Sequence, residues 1–392
     1  MKICMILQAN FPPDIRIEKE ARALIAAGHE LHLVCRNKTG LPVEDKFEGI
    51  HIHRLRSQHS NSRWNNLLTI PLFFNPVWKA RVNEVVKKYK IDIIHVHDLP
   101  LAALGVRVAQ KNKLPLIYDM HENYPEAMRV WYKGTLASFT MQNPAFVEML
   151  DRYCEKKATK IIVVVEEQKE NLIRKGVPAE KIHVISNTAD VEKLEALPLD
   201  QGILDQFKDE NAIMFVGGFV RDRALEVPIR AMKILKDKIP RTKLVLVGGG
   251  DKGYTAELKA LVRDNHLEEY VEFIDWVPFE KVASYMKAAK IGIVPQARND
   301  YQNTTISHKI FQYMTFGLPI IVADAIPHAR VVREGNCGAV FTTGSENDFA
   351  EAVLRLMKEP GQFGQNGAQL VRKKYNWQNT ARELQKLYSK FE

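Results

Sequence analysis

The sequence predicts an α/β protein of two doubly wound domains, each a mostly parallel sheet covered by helices. Three observations carry that expectation. The chain has 392 residues, and single hydrophobic cores stop growing near roughly 250–300 residues. Short apolar runs alternate with helical patterns along nearly all of it, as βαβ units require. The alternation stops once, over residues 191–210, and then restarts. The expected division is a first domain over 1–190, a linker over 191–210, a second domain over 211–374, and a C-terminal helix over 375–392 that packs back toward the first domain.

Each element has its own reason. KICMILQ (2–8) is a short apolar strand, not a secretory signal, because the run is too short. The loop ANFPPDIR leads into helix IEKEARALIAAG, which Gly28 closes. ELHLVCR (30–36) and GIHIHRL (49–55) are the next strands, and WKARVNEVVKKYK is a helix. DIIHVHD (92–98), PLIYDMH (115–121), KIIVVVE (160–166) and KIHVISN (181–187) complete the first set of strands. In the second half the strands are AIMFVGG (212–218), KLVLVGGG (243–250), VEFIDWV (271–277), KIGIVPQ (290–296), PIIVAD (319–324) and AVFT (339–342), with helices between them. In such sheets ligands bind beyond the carboxyl ends of the strands. With two domains, the expected place is a cleft between them.

Composition narrows the function classes. The formal net charge of +9 is spread evenly, with no basic tail. A mild excess suits phosphate-bearing partners and argues against nucleic acid, which calls for clustered charge. The cysteines Cys4, Cys35, Cys154 and Cys337 have no metal-ligand spacing. They read as reduced, buried thiols of a cytoplasmic protein. The longest apolar stretch, LLTIPLFFNPVW (67–78), is too short to span a bilayer. The basic and aromatic surroundings of that stretch leave two readings open. It is a membrane-surface patch at the inner face of the membrane, or a helix packed on the sheet.

Several strand ends carry chemistry. VGGFVRDR (216–223) offers Gly217 and Gly218 for close backbone approach, and Arg221 and Arg223 as phosphate ligands. Gly248, Gly250 and Gly253 spell GxGxxG, with Asp275 at the end of the next strand, which also fits a dinucleotide enzyme. A helix expected to begin near Ser307 could take a phosphate at its N-terminus, with Thr304, Thr305 and Ser307 as caps or donors and Lys309 adding charge. In the first half, His95, His97 and Asp98 end one strand, and Asp119, His121 and Glu122 end another. Asp14 and Arg16 lie in the first loop after a strand. A metal site at His95 and His97 is conceivable, but ligand sets usually draw on more than one element, so a hydrogen-bonded pair at a strand end is expected there and no metal.

Taken together and in order, these pieces resemble the family 4 retaining glycosyltransferases. The carrying residues are FPPDIR with EARALIAAGHELHLVC, IDIIHVHD, YDMHENYPE, ISNTAD, FVGGFVRDRALEVPIRAMKIL and HKIFQYMTFGLPIIVAD. The resemblance implies a GT-B fold, with two Rossmann-like domains facing a cleft. It implies a donor, a UDP- or GDP-sugar, bound to the second domain and a glycan or lipid-linked acceptor bound to the first. By position it makes His121, Arg223 and Lys309 the catalytic residues. Gly217, Gly218, Arg221, Trp276, Val277, Thr304, Thr305, Ser307, His308 and Gln312 become donor-binding residues, and Asp14, Arg16, Asp98 and Glu122 face the acceptor. It implies no cofactor, since the nucleotide-sugar is a substrate, and no metal. Thr304 and Gln312 stand where the family often has two glutamates, and Gly218 where it commonly has arginine. A sugar-nucleotide epimerase of the same architecture, or a non-catalytic sugar-nucleotide binder, are the alternatives.

Overall fold

Residues 1–69, 75–131 and 143–392 are described by a computed structural model of the chain. It divides into two compact units, Met1–Ser186 with Thr380–Glu392, and Asn187–Asn379.

The first unit holds an eight-stranded sheet. Its strands are β1 (Lys2–Asn10), β2 (Glu30–Arg36), β3 (Glu44–Phe47), β4 (Ile50–Arg54), β5 (Ile93–His97), β6 (Leu116–Met120), β7 (Lys160–Val163) and β8 (Ile182–Val184). Their spatial order is β3-β4-β2-β1-β5-β6-β7-β8. Every pairing is parallel except β3 with β4. Strands covered on both faces read as continuous apolar runs, which is why β2 was legible to the residue. β3 was not expected. Its sequence EDKF is largely exposed and charged, as an edge strand should be, and carries no apolar signal.

The second unit holds a six-stranded parallel sheet. Its strands are β9 (Asn211–Val216), β10 (Thr242–Val247), β11 (Val271–Ile274), β12 (Ile291–Val294), β13 (Ile320–Ala323) and β14 (Gly338–Phe341), in the order β11-β10-β9-β12-β13-β14. Residues 191–210, expected as a linker, form two helices of this unit, Val191–Glu195 and Gln201–Phe207. Ile203 and Phe207 are buried, and the Asp200 carboxylate caps the second helix and pairs with Lys281. The segment lacks a strand pattern because it is helical.

Both sheets reverse their winding beside their first strand. In the first unit, β1 lies between β2 and β5; in the second, β9 lies between β10 and β12. Ligands of open α/β sheets collect at such switch points.

The GxGxxG loop has a packing explanation. A Cβ at Gly248 would lie 2.1 Å from the Gly217 carbonyl oxygen, and one at Gly250 would lie 2.6 Å from that of Phe219. The loops after β9 and β10 hydrogen-bond directly, with Phe219 N–H donating to the Gly249 carbonyl and Asp251 N–H to that of Phe219. The following helix, Lys252–Asp264, is already capped by the Asp251 carboxylate, which accepts from Tyr254 N–H where a pyrophosphate would have to sit. Gly248→Ala is expected to lower stability by at least about 1–3 kcal/mol through overpacking, compounded by its φ of +138°. An unchanged melting temperature would refute this account of the loop.

The C-terminal helix, Trp377–Tyr388, joins the first unit from Thr380 onward. Gln385 Nε2 donates to the Ala23 carbonyl at 2.8 Å, and the Tyr388 hydroxyl lies 2.7 Å from His95 Nδ1. All four cysteines are free and buried, as expected. Of the apolar stretch 67–78, residues 70–74 lie outside the described residues. The helix Pro76–Tyr89 that follows buries Trp78, Val82, Val85 and Val86 in the core. Trp64 and Leu67, just before it, are exposed. Among the described residues no helix is long and apolar enough to cross a membrane.

Candidate functional site

In the second unit the switch point gathers Gly217, Arg223 and Lys309. Gly217 follows β9 directly, Arg223 ends the single turn Arg221–Arg223, and Lys309 opens the seven-residue helix Lys309–Thr315. The Lys309 side chain runs along Gly217, where a Cβ would come within 2.3 Å of Lys309 Cε and 2.8 Å of Nζ. Its ammonium lies 5.9 Å from the centre of the Phe215 ring. No carboxylate among the described residues pairs with it. Arg223 has only Asp222 at 3.7 Å, and its buried Nε makes no hydrogen bond. Burial, helped by the nearby Arg223 charge, draws the Lys309 ammonium down to about 7.

Sequence reasoning missed His328, which belongs to this cluster. It is fully buried, its Nε2 accepts from Ser307 N–H at 3.1 Å, and its Nδ1 is unpartnered. Burial and Arg223 together push it down to about 3, so it is a neutral acceptor. Its sequence context, AIPHAR, offers no signal beyond a lone histidine near a helix start. Two cationic side chains, of which Arg223 has only a distant acid, Asp222 at 3.7 Å, and Lys309 none among the described residues, beside a glycine that leaves the backbone open, make a site for a dianionic oxygen-rich group.

The other expected donor residues divide. Gln312 is nearly buried, and its amide makes no hydrogen bond among the described residues. Trp276 is 76% exposed, so a flat ligand could stack there. Ser307 is tied through its N–H to His328. Thr304 does not cap the helix. Its hydroxyl donates back to the carbonyls of Tyr301 and Asp300, and the helix starts at Lys309 with no side-chain cap from His308. Thr305 is extended, between that turn and the helix. Arg221 is held by Glu257 and lies over the Tyr254 ring, so it does not join Arg223. At Gly218 a Cβ would meet only ordinary contact; the close approach is at Gly217. Val277 is half-buried beside Trp276.

In the first unit the switch point gathers a buried polar cluster. Asp119, on β6, is its hub. Its Oδ2 has His121 Nε2 at 2.9 Å, His97 Nδ1 at 3.0 Å and His95 Nε2 at 3.2 Å. Glu20, from helix Ile15–Ala26, lies 3.7 Å from His121 and 4.0 Å from His95. Burial pushes Asp119 up, but the His121 charge and the histidine hydrogen bonds outweigh it and hold the carboxyl well below the usual range. Burial lowers His121, but Asp119 wins and raises it to about 9. Burial and Asp119 push Glu20 up to about 7. Glu20 was invisible in the sequence because IEKEAR reads as the solvent side of a helix.

Asp98 is strained, at φ +62°, and accepts from His121 N–H at 3.2 Å, which fixes the turn after β6. Burial pushes its carboxyl up to about 6. Asp14 and Arg16 are bound to one another. Asp14 caps the helix and takes two guanidinium contacts from Arg16, at 3.1 and 3.3 Å. Glu122 is half-buried beside His121.

The chain matches two family profiles, Glycosyltransferase Family 4 over residues 15–193 and Glycosyl transferases group 1 over residues 210–359. A relative, the alpha-monoglucosyldiacylglycerol synthase of Acholeplasma laidlawii, is 21% identical over 93% of this chain and 90% of its own. Among solved structures, sucrose-phosphate synthase from Thermosynechococcus elongatus has a TM-score of 0.81 at 20% identity, covering 100% of this chain and 98% of that one. Anabaena HepE in complex with UDP-glucose has a TM-score of 0.74 at 14% identity, covering 100% of both chains.

Proposed function

The chain belongs to the family 4, group 1 glycosyltransferases of GT-B fold, and we propose that it moves a sugar, with retention, from a UDP-sugar to a glycan or lipid-linked acceptor. One observation carries the donor half: Lys309 and Arg223 converge beside Gly217 with no acid to neutralise Lys309. The UDP-glucose in the Anabaena structure supports UDP as the nucleotide. The name of the Acholeplasma relative supports a lipid-linked acceptor. Exposed Trp64 and Leu67 suit contact with a membrane surface presenting it.

In the proposed reaction the bond from the sugar's anomeric carbon to the diphosphate oxygen breaks. A bond to the acceptor oxygen forms on the same face. The departing phosphate oxygen takes the acceptor's proton, so no protein base is required. Negative charge grows on the diphosphate as it leaves, and Lys309 and Arg223 meet it with positive groups held beside it. No metal is needed for that task, and added magnesium should leave the rate unchanged.

The direct test is a thermal-shift screen with UDP, GDP, their sugars and NAD. Ligand at a hundred times its dissociation constant stabilises by about 2.7 kcal/mol, a measurable shift. A UDP response without an NAD response is expected; an NAD response alone would overturn the proposal. Gly217→Ala should weaken UDP binding, because the added methyl displaces the Lys309 side chain.

Binding should also take up protons. With Lys309 drawn down to about 7, its amine is mostly neutral in the free protein near pH 8, and a bound diphosphate restores the charge. UDP affinity should therefore fall as pH rises above 7. Calorimetric heats near pH 8 should vary with the ionisation heat of the buffer. Buffer-independent heats would show that Lys309 does not change its charge on binding.

A further inference from the structure

The buried cluster of the first unit has capacity that the transfer reaction leaves unused. We propose that Glu20, His95, His97 and Asp119 bind one divalent transition ion of the zinc class, as a structural site. The four residues come from three elements, helix 15–26, β5 and β6. One ligand atom from each lies within 4.8 Å of all the others. The spacing suits a small ion. Metal–ligand bonds of about 2.0–2.1 Å in a tetrahedron put ligand atoms about 3.4 Å apart. The pairs here are 3.0 Å (His97 Nδ1 to Asp119), 3.2 Å (His95 Nε2 to Asp119) and 4.0 Å (His95 Nε2 to Glu20).

Unmet bonding capacity points the same way. His97 is 1% exposed, yet its Nε2 makes no hydrogen bond, and its Nδ1 faces only the shared Asp119 Oδ2, at 3.0 Å. Glu20 Oε2 and Asp119 Oδ1 are buried and equally unpartnered. Orphaned buried polar groups are costly. Two carboxylates and two neutral imidazoles around a divalent ion sum to zero charge, which suits a dry interior, with His121, 2.9 Å from Asp119, giving up its proton as the ion binds. The Tyr388 hydroxyl, 2.7 Å from His95 Nδ1, fixes that ring and leaves Nε2 to face the cluster. Metal-binding histidines are usually steadied in this way. Mixed imidazole and carboxylate donors favour zinc, cobalt or manganese over copper(I), which prefers sulfur. All four ligands are buried, so the ion would hold helix 15–26 against the sheet, and the C-terminal helix with it through Tyr388.

The competing arrangement is a network sharing protons, in which His121 alone supplies the positive charge opposite Asp119. Metal content separates the two without reference to activity, so this proposal can fail while the transferase reading stands. The full chain, purified from zinc-supplemented cells and dialysed, is expected to carry one equivalent of zinc by mass spectrometry. His97→Ala and Asp119→Asn should each lose it, and Tyr388→Phe should bind it about 10- to 100-fold more weakly. Should those variants fail to fold, cobalt(II) titrated into the metal-stripped native chain should give visible absorption bands that saturate at one equivalent. No bound zinc and no cobalt bands overturns the proposal. So does full metal content in folded His97→Ala and Asp119→Asn.

Discussion

His121→Asn is expected to slow turnover of the sugar donor by about 10²–10³-fold, the usual cost of one lost group that stabilises a transition state. UDP affinity should stay the same. The two readouts separate because the groups proposed to hold UDP belong to the second unit, whereas His121 is fixed by the first. Its N–H is held by Asp98 and its ring by Asp119. With no ion in the cluster, Asp119 holds the imidazole up at about 9, so near neutral pH it is a cation. The family resemblance puts that cation at the transferring sugar. Asparagine keeps a donor for Asp119 but carries no charge. Donor hydrolysis without acceptor, followed as UDP release, gives the rate, and a melting curve checks that the variant is folded. A folded variant that turns over at the parent rate would remove His121 from the reaction.

Much of this architecture was legible because parallel strands buried on both faces leave apolar runs that stand out between amphipathic helices. β2 and the strand ends at HVHD, YDMHE and VGGFVRDR are examples. Lys309 was legible too, as a cation early in a helix after a strand. What could not be read depends on tertiary contact. Glu20 and Tyr388 are far apart in sequence and meet the same histidine, His95, only after helix 15–26 and the C-terminal helix settle on the sheet. His328 joins Arg223 from another element of the second unit, again only through the fold. Arg221 and Arg223 look equivalent in the sequence, and the positions of Glu257 and Tyr254 separate their roles. GxGxxG stayed ambiguous in the sequence for a related reason. The glycines are there for a neighbouring loop, since Gly248 has no room for a Cβ against Gly217, and no phosphate need be invoked.

Lys309→Ala and Arg223→Ala should each weaken UDP binding by roughly 10- to 150-fold, the equivalent of about 1.5–3 kcal/mol for a charge-assisted contact. The two losses should not simply add, because the positive charges lie close enough for Arg223 to depress the Lys309 ammonium. Removing Arg223 relieves that repulsion, so Lys309 regains part of its charge in the free protein. Arg223→Ala should therefore bind with less proton uptake than the parent, and Lys309→Ala with almost none. Replacing Lys309 also removes a half-buried amine that has no counterion among the described residues and is charged only at a cost, so the free protein should become no less stable even as affinity falls. That opposition is diagnostic. A general packing defect would lower both stability and affinity, whereas an anion site loses affinity alone. Titration calorimetry and a melting curve on the same two variants decide it. Parent-like UDP affinity in both would return Lys309 and Arg223 to the role of surface cations.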